Sequence, residues 1–247
     1  AARLRAWHDL LASEPHHAGS RGDARTIDRL AEAFESMGLQ VTRHEIWPYL
    51  SQPLNGAVDI VSPVRMSLPV REQALEEDPF TSHPELTIGF NAFSATGEAE
   101  GRIVYVNYGR LEDFETLERI GVDVEGAIVI ARYGGNYRGY KAKYAEAAGA
   151  AGLIIYSDPE DAGYMRGLPY PEGGWNNETS IQRGSIVTLP QPGDALTPFE
   201  PATRDAKRLD ADEVALPRIP VQPIGWAAAR EIMSRMSGRA LPPELIS

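Results

Sequence analysis

Residues 126–159 read GAIVIARYGGNYRGYKAKYAEAAGAAGLIIYSDP, and their pattern decides the fold class. The run AIVIA is continuous, apolar and rich in β-branched residues, and it stops at a Gly-Gly pair, as expected of a strand buried on both faces. KAKYAEAAGAAG then has helical texture, with small residues that let a helix pack closely on a sheet. GLIIY is a second buried strand, closed by the turn residues Ser157, Asp158 and Pro159. Working outward, GRIVYVNYG (101–109) is a third strand of the same type, and LEDFETLERIG (111–121) is the helix that joins it to the first of these, AIVIA. The reading is an α/β layer with flanking helices.

The first 50 residues predict helix, loop, helix, strand. Leu4, Trp7, Leu10 and Leu11 recur at helical spacing before the breaker Pro15. In the second helix Ile27, Leu30, Ala31, Phe34 and Met37 share one apolar face, and Gly38 stands where a left-handed helix end belongs. A strand is expected near residues 40–47. From Tyr49 the texture changes to Pro-punctuated short strands such as AVDIV, joined by the acidic loop REQALEEDPF, which reads as solvated. A domain boundary is therefore expected near residue 50, dividing the chain into 1–50 and 51–247. Residues 163–223 hold much of the Gly and Pro and read as long, ordered loop. An amphipathic helix, WAAAREIMSRMSG, leads into the linker-like RALPPELIS.

Composition narrows the function. The formal net charge of −11 argues against nucleic acid and anionic membrane surfaces, because a protein that tracks phosphates needs an excess of Lys and Arg. The chain has no cysteine, which removes thiol nucleophiles, disulfides and Cys-based zinc sites together. No stretch approaches the roughly 20 apolar residues that span a bilayer. The start, AARLRAWHDLLASEPHH, lacks the apolar run of a secretory signal, so a targeting segment would precede Ala1.

Five histidines are scattered, and no HExxH-type spacing sets two imidazoles on one helix face for zinc. His16 and His17 are adjacent, but neighbouring side chains diverge, and a hydrogen-bonded loop role is the plainer reading. There is no GxSxG elbow and no phosphate-binding Gly-Lys-Ser/Thr. Arg132, Arg138, Lys141 and Lys143 fall within twelve residues, near a helix start, in an otherwise acidic chain. They predict either a site for an anion, with arginine gripping a carboxylate in bidentate fashion, or a solvated rim or internal ion pair. Arg21-Gly22-Asp23 and the sequon Asn177-Glu178-Thr179 are short enough to be chance, and Asp23 more simply offers a helix cap.

Taken together, SEPHHAGSRGD, FNAFSATGEAEGRIVYVNYG, GAIVIARYGGNYRGYKAKYAEAAGAAGLIIYSDP, IQRGSIVTLPQPGDALTPFEPA and LPRIPVQPIG resemble the glutamate carboxypeptidase II family almost end to end. The resemblance implies a zinc exopeptidase built from a protease domain, an inserted protease-associated (apical) domain of mixed β-sheet with flanking helices, and a C-terminal helical domain that helps form a homodimer. Residues 1–50 then correspond to the opening helices and strand of the protease domain, and 51–247 to the apical domain. It further implies that two zinc ions and the catalytic glutamate depend on residues beyond Ser247, so that this chain holds no zinc ligands and is inactive alone. Arg138 matches the family's arginine for the substrate carboxylate. Ser185 stands where the family has an asparagine for the side chain of a terminal glutamate, a departure that puts that preference in doubt, because serine offers one hydroxyl in place of an amide. Thr197 and Glu200 match positions whose backbone carbonyls help hold a calcium ion. A peptide substrate and an extracytoplasmic location follow from the same resemblance. Transferrin receptors share the architecture without functional zinc sites, so a non-catalytic binding module is the alternative.

Overall fold

A computed structural model of the chain describes residues 2–245. In chain order the elements are α1 (Ala2–Leu11), α2 (Arg21–Ser36), β1 (Val58–Ile60), β2 (Met66–Leu68), β3 (Asn91–Ala92), β4 (Ile103–Tyr105), α3 (Leu111–Arg119) and β5 (Ile128–Arg132). There follow α4 (Arg138–Ala147), β6 (Gly152–Tyr156), α5 (Pro159–Ala162), β7 (Gly184–Ser185), β8 (Gly193–Asp194), β9 (Thr197–Pro198), β10 (Val221–Ile224) and α6 (Trp226–Met233).

These elements form two compact units. One comprises Ala1–Leu50, Ala74–Leu86 and Gln191–Asp210; the other comprises Ser51–Gln73, Thr87–Pro190 and Ala211–Ser247. A single cut near residue 50 therefore does not describe the division. Residues 74–86 and 191–210 share a unit with the N-terminal helices, because the chain leaves that unit and returns to it twice.

The larger unit is organised by a four-stranded sheet of order β10-β6-β5-β4, parallel throughout. Alternation along its strands explains their near-continuous apolar character. Val104, Val129, Ala131, Leu153, Ile155 and Val221 face a core completed by Phe114 and Leu117 of α3 and Ala142 and Ala145 of α4. Ile130, Ile154, Tyr156 and Ile224 face a second core with Leu68 of β2 and Ala228, Ala229 and Ile232 of α6. Successive side chains point to opposite faces, and both faces are covered, so neither set can be polar. The small residues of α4 do what their size suggests: Ala142 and Ala145 are fully buried against the sheet. The expected mixing of strand directions resides outside this sheet, in the antiparallel pair β1–β2 and the short parallel pair β3–β7.

In the smaller unit both helices form where the pattern places them. Gly38 has φ +83°, and the amide of Leu39 donates to the Phe34 carbonyl at 3.1 Å, which closes α2 as a left-handed end. The expected apolar face of α2 is present but largely in solvent, with Ile27 48% exposed, Phe34 45% and Met37 51%. α1 buries none of its residues. Residues 40–47 form no strand. A strand is completed by a neighbour's ladder, and among the described residues the backbone bond made here is one from Trp47 N–H to the Ala202 carbonyl, at 2.6 Å.

Candidate ligand cleft

The register of the sheet brings two loops together. Arg132, the last residue of β5, is paired with Tyr156, the last of β6, so the segments that follow each strand emerge side by side at the carboxyl end of the sheet. That edge is where open parallel sheets place ligands. A cleft of about 360 Å³ lies there, lined among others by Tyr133, Asn136, Tyr137, Arg138, Ser157, Asp158 and Asp161.

The first loop turns at Gly134 and Gly135, whose φ values of +93° and +72° are ones that L side chains rarely adopt. A Cβ on Gly135 would lie 2.6 Å from the Tyr108 ring, so the close approach also requires glycine. Lys141, one turn into α4, fastens this loop from beneath. It is 0% exposed, and its ammonium donates to the carbonyl of Tyr108, to the carbonyl of Gly134 at 2.7 Å and to Asn136 Oδ1 at 2.6 Å. Burial pushes this amine down to about 7.

Arg132 is also internal. Its guanidinium lies 4.5 Å from the centroid of the Tyr108 ring, donates to Asp161 Oδ2 from Nη2 at 2.8 Å, and sits 3.7 Å from Asp158. Burial opposes its charge, but the bond to Asp161 and the two carboxylates outweigh burial and hold the group well above its ordinary value. Of the four clustered cations, then, Arg132 and Lys141 are structural, Lys143 is exposed on α4, and Arg138 lines the cleft.

Arg138 opens α4. Its Nη1 donates to the Ser185 carbonyl at 3.2 Å, and its guanidinium lies between the rings of Tyr133 (5.9 Å) and Tyr137 (5.6 Å). It rests against Gly184, where a Cβ would lie 2.5 Å from Cζ. Arg138 Nε has no hydrogen-bond partner among the described residues. The structure thus brings Arg138 and Ser185 together, but through the Ser185 backbone, whose carbonyl also accepts from the Tyr137 hydroxyl at 2.7 Å. The Ser185 hydroxyl instead accepts from Val187 N–H at 3.2 Å. Behind them Asn91, 1% exposed, donates to the Tyr133 hydroxyl and the Gly184 carbonyl, and Tyr133 donates to the Gln182 carbonyl at 2.8 Å. The loop that carries Ser185 is held by Arg183, which forks onto Glu72 at 2.5 and 2.9 Å. Glu72 belongs to the acidic stretch expected to be solvated. Burial raises its carboxyl, but Arg183 outweighs burial and holds it below the usual carboxylate range.

Thr197 and Glu200 lie in the smaller unit and meet across a turn, the Glu200 N–H donating to the Thr197 carbonyl at 3.3 Å. Phe199 between them has φ +67°. A carbonyl oxygen has a second lone pair, so this arrangement is compatible with a hard-cation ligand. Among the described residues no group of three or more His, Asp or Glu is placed to hold a metal ion. His16 Nδ1 lies 3.0 Å from the Glu14 carbonyl, a loop contact. Arg21-Gly22-Asp23 forms the first turn of α2, where Ser20 caps Asp23 N–H at 3.2 Å and Gly22 is buried. Asn177 Oδ1 accepts from the amide and the hydroxyl of Thr179, both at 2.9 Å, so the sequon is a local turn.

Asn91 and the pair Glu72–Arg183 are among the parts of this site that sequence reasoning missed, and Lys141 was read only as one of the clustered cations. Lys141 carried a signal, since it shares a helix face with Ala145. Glu72 and Arg183 are 111 residues apart, and nothing local links them.

Residues 95–190 match the PA domain family model. Over 95% of its length the chain is 31% identical to a glutamate carboxypeptidase 2 homolog of Caenorhabditis briggsae, covering 32% of that protein. It is 33% identical over 99% of its length to a probable glutamate carboxypeptidase VP8 of Zea mays (31% covered), and 31% identical over 98% to the aminopeptidase NAALADL1 of Mus musculus (34% covered). The chain thus spans about a third of the length of the curated relatives it matches. A zinc aminopeptidase from Bacillus subtilis superposes with a TM-score of 0.45 at 18% identity over 90% of this chain and 37% of its own, a likeness too loose to carry an argument. The blocks noted in the sequence, the PA domain and the near end-to-end similarity agree: this chain carries a PA domain and resembles glutamate carboxypeptidase 2-like proteins over nearly all of its length.

Proposed function

We propose that this chain is the N-terminal, substrate-recognition part of a zinc-dependent exopeptidase, in which Arg138 binds the terminal carboxylate of a peptide. The observation that carries the reading is the state of Arg138. Of the clustered cations it is the one that lines the cleft, it is held by a backbone carbonyl and two aromatic rings, and its Nε is unpartnered. A guanidinium so placed keeps donors for a planar anion and is aimed by groups that do not neutralise it.

The half-exposed apolar residues Ile27, Phe34 and Met37 support the expectation that the remainder of the peptidase chain packs on α2. Two zinc ions, held by that remainder, would supply an activated water for hydrolysis. The contribution of this chain is to grip and orient the substrate; alone it turns nothing over. Thr197 and Glu200 would offer backbone carbonyls to a calcium ion. The whole protein would act as a homodimer in an extracytoplasmic compartment.

The test is kinetic. In the complete peptidase polypeptide, Arg138→Ala is expected to raise KM for peptides with a free terminal carboxylate by roughly 10- to 100-fold, the equivalent of about 1.5–3 kcal/mol for a charged hydrogen bond. An unchanged KM refutes the assigned role. Residues 1–247 alone, supplied with zinc, are expected to show no peptidase activity, and chelator-sensitive turnover would overturn the division of labour.

A further inference from the structure

The seat of the Arg138 guanidinium is built from two chain segments, and one buried side chain ties them together. Tyr133 and Tyr137, whose rings flank the guanidinium, belong to the loop after β5. Gly184, against which it rests, and Ser185, whose carbonyl accepts from it, form β7. β7 pairs with β3 in the register Asn91 to Gly184 and Ala92 to Ser185, which sets the Asn91 side chain, 1% exposed, behind both segments. The directions of its hydrogen bonds are fixed. The Gly184 carbonyl can only accept, so the Asn91 atom 3.2 Å from it is the amide nitrogen. The Tyr133 hydroxyl gives its proton to the Gln182 carbonyl at 2.8 Å, so it accepts from that same nitrogen at 3.0 Å. Both amide hydrogens of Asn91 are thus committed, one to each segment, while its buried Oδ1 has no hydrogen-bond partner among the described residues. A buried acceptor left without a bond is destabilising. An apolar residue of similar size would avoid that cost, so what asparagine adds here is its pair of donors.

We infer that Asn91 is a positioning residue for the carboxylate grip: by holding the Tyr133 hydroxyl and the Gly184 carbonyl it fixes the direction in which the Arg138 guanidinium points. The inference rests on the proposed carboxylate role of Arg138. The path from Asn91 to the guanidinium is short. A Cβ on Gly184 would lie 2.5 Å from Arg138 Cζ, so the backbone that Asn91 holds is itself in contact with the guanidinium, and a close-packed interior passes a small shift of one to the other. Bidentate binding of a carboxylate depends on the orientation of the planar fork, and a displacement of about an ångström is enough to weaken a positioned contact. The pairing of β3 with β7 and the bond from Ile186 N–H to the Ala92 carbonyl, at 3.1 Å, are made by backbone alone. Replacing the Asn91 side chain therefore leaves β7 attached and removes the finer adjustment of Tyr133 and Gly184.

The experiment is isothermal titration of the complete peptidase polypeptide, metals in place, with the hydrolysis-resistant reduced-amide dipeptide alanyl-glutamate and with its α-carboxamide. The wild type is expected to bind the acid at least about tenfold more tightly than the amide, the size of one charged contact. Asn91→Leu nearly preserves volume and removes both donors. It should weaken the acid by roughly three- to tenfold and leave the amide unchanged, so that the gap narrows. Made in an Arg138→Ala background, the same change should have no further effect on the acid, because the two residues act through one contact. Tyr133→Phe keeps the ring beside Arg138 and removes the hydroxyl that Asn91 holds; it gives an independent reading should Asn91→Leu fail to fold, and should weaken the acid selectively by roughly two- to fivefold. Unchanged acid affinity in the variant that folds overturns the inference, as does an equal loss for acid and amide, or a full loss in the Arg138→Ala background. If Arg138→Ala alone still weakens the acid in those cases, the carboxylate role of Arg138 stands without Asn91. Acid and amide binding equally to the wild type overturns both.

Discussion

Replacing Lys141 with methionine tests how the cleft is built. Methionine nearly preserves the volume of the stem in its place between α4 and the sheet, so the change isolates the ammonium. Three acceptors lose a donor, and they are not equivalent. The Gly134 carbonyl retains the Asn136 N–H at 2.8 Å, whereas the Tyr108 carbonyl and Asn136 Oδ1 each lose the bond they accept from the ammonium. Two charge-assisted bonds at about 1.5–3 kcal/mol each give a gross loss of about 3–6 kcal/mol. Relief of the desolvated charge, which costs several kcal/mol for a buried ion, offsets part of this and leaves a net destabilisation of about 2–4 kcal/mol. The pH dependence has a definite sign. The folded-state value is depressed to about 7, and an unfolded lysine titrates near 10.4. Between these values the unfolded chain binds more protons, so wild-type stability rises with pH across that window and is flat below about 7. Methionine abolishes the rise. The cost of Lys141→Met should therefore be smaller at pH 6 than at pH 9, measured by urea denaturation with tryptophan fluorescence. Equal stability of variant and wild type at both pH values refutes the carbonyl cage. A cost that does not change with pH refutes the depressed amine.

Three further outcomes follow from the same geometry. Asp161→Asn removes the nearer of the two carboxylates paired with buried Arg132 and should destabilise the fold by about 3 kcal/mol in denaturant titration; a loss below about 1 kcal/mol would mean that this pair does not hold the guanidinium. Gly184→Ala places a Cβ 2.5 Å from the Arg138 guanidinium and should raise KM for carboxylate-terminated peptides in the complete peptidase about as much as Arg138→Ala, with kcat little changed. Glu72, held below the usual carboxylate range by Arg183, contributes stability that is present above its unfolded value of about 4.3 and is lost as pH falls through the lower folded value. Glu72→Gln should accordingly match wild type more closely at pH 3 than at pH 7 in thermal melts, and a pH-independent difference would contradict the pairing.

The parts of this molecule that were legible from sequence are those whose physics is local. A buried parallel strand must be apolar on both faces, so Ile128–Arg132 and Gly152–Tyr156 announce themselves without their neighbours. A helix end needs a left-handed residue, and Gly38 could be placed from one position. The strand expected at residues 40–47 failed for the complementary reason: extended, β-branched chain becomes a strand only when another segment supplies the ladder. The apolar face of α2 was read correctly as a face, yet burial is a property of what packs on it. Lys141 and Lys143 show how fine the margin is. They sit about 200° apart on a helix of 3.6 residues per turn, so one had to face the sheet with Ala142 and Ala145 and the other the solvent, and a cluster counted by residue type merged them.

The same distinction explains the cleft. Arg138 was singled out by its match to the family motif, within a cation cluster whose local reading left an anion site and an internal ion pair both open. Its opposite wall was not, because Ser157, Asp158 and Asp161 read locally as nothing more than the turn that ends a strand. What joins the two is the register of β5 on β6, which pairs Arg132 with Tyr156 and so delivers residues 133–138 and 157–161 to one edge. A slip of that register by one residue would turn Arg132 toward the opposite face, away from Asp161, and would separate Ser157 from the loop that carries Arg138. The meeting of these two loops at the cleft is thus set by the apolar alternation that fixes the register, and substitutions deep in the sheet, at Ile130 or Ile154, should weaken carboxylate binding at Arg138 even though neither residue lines the cleft.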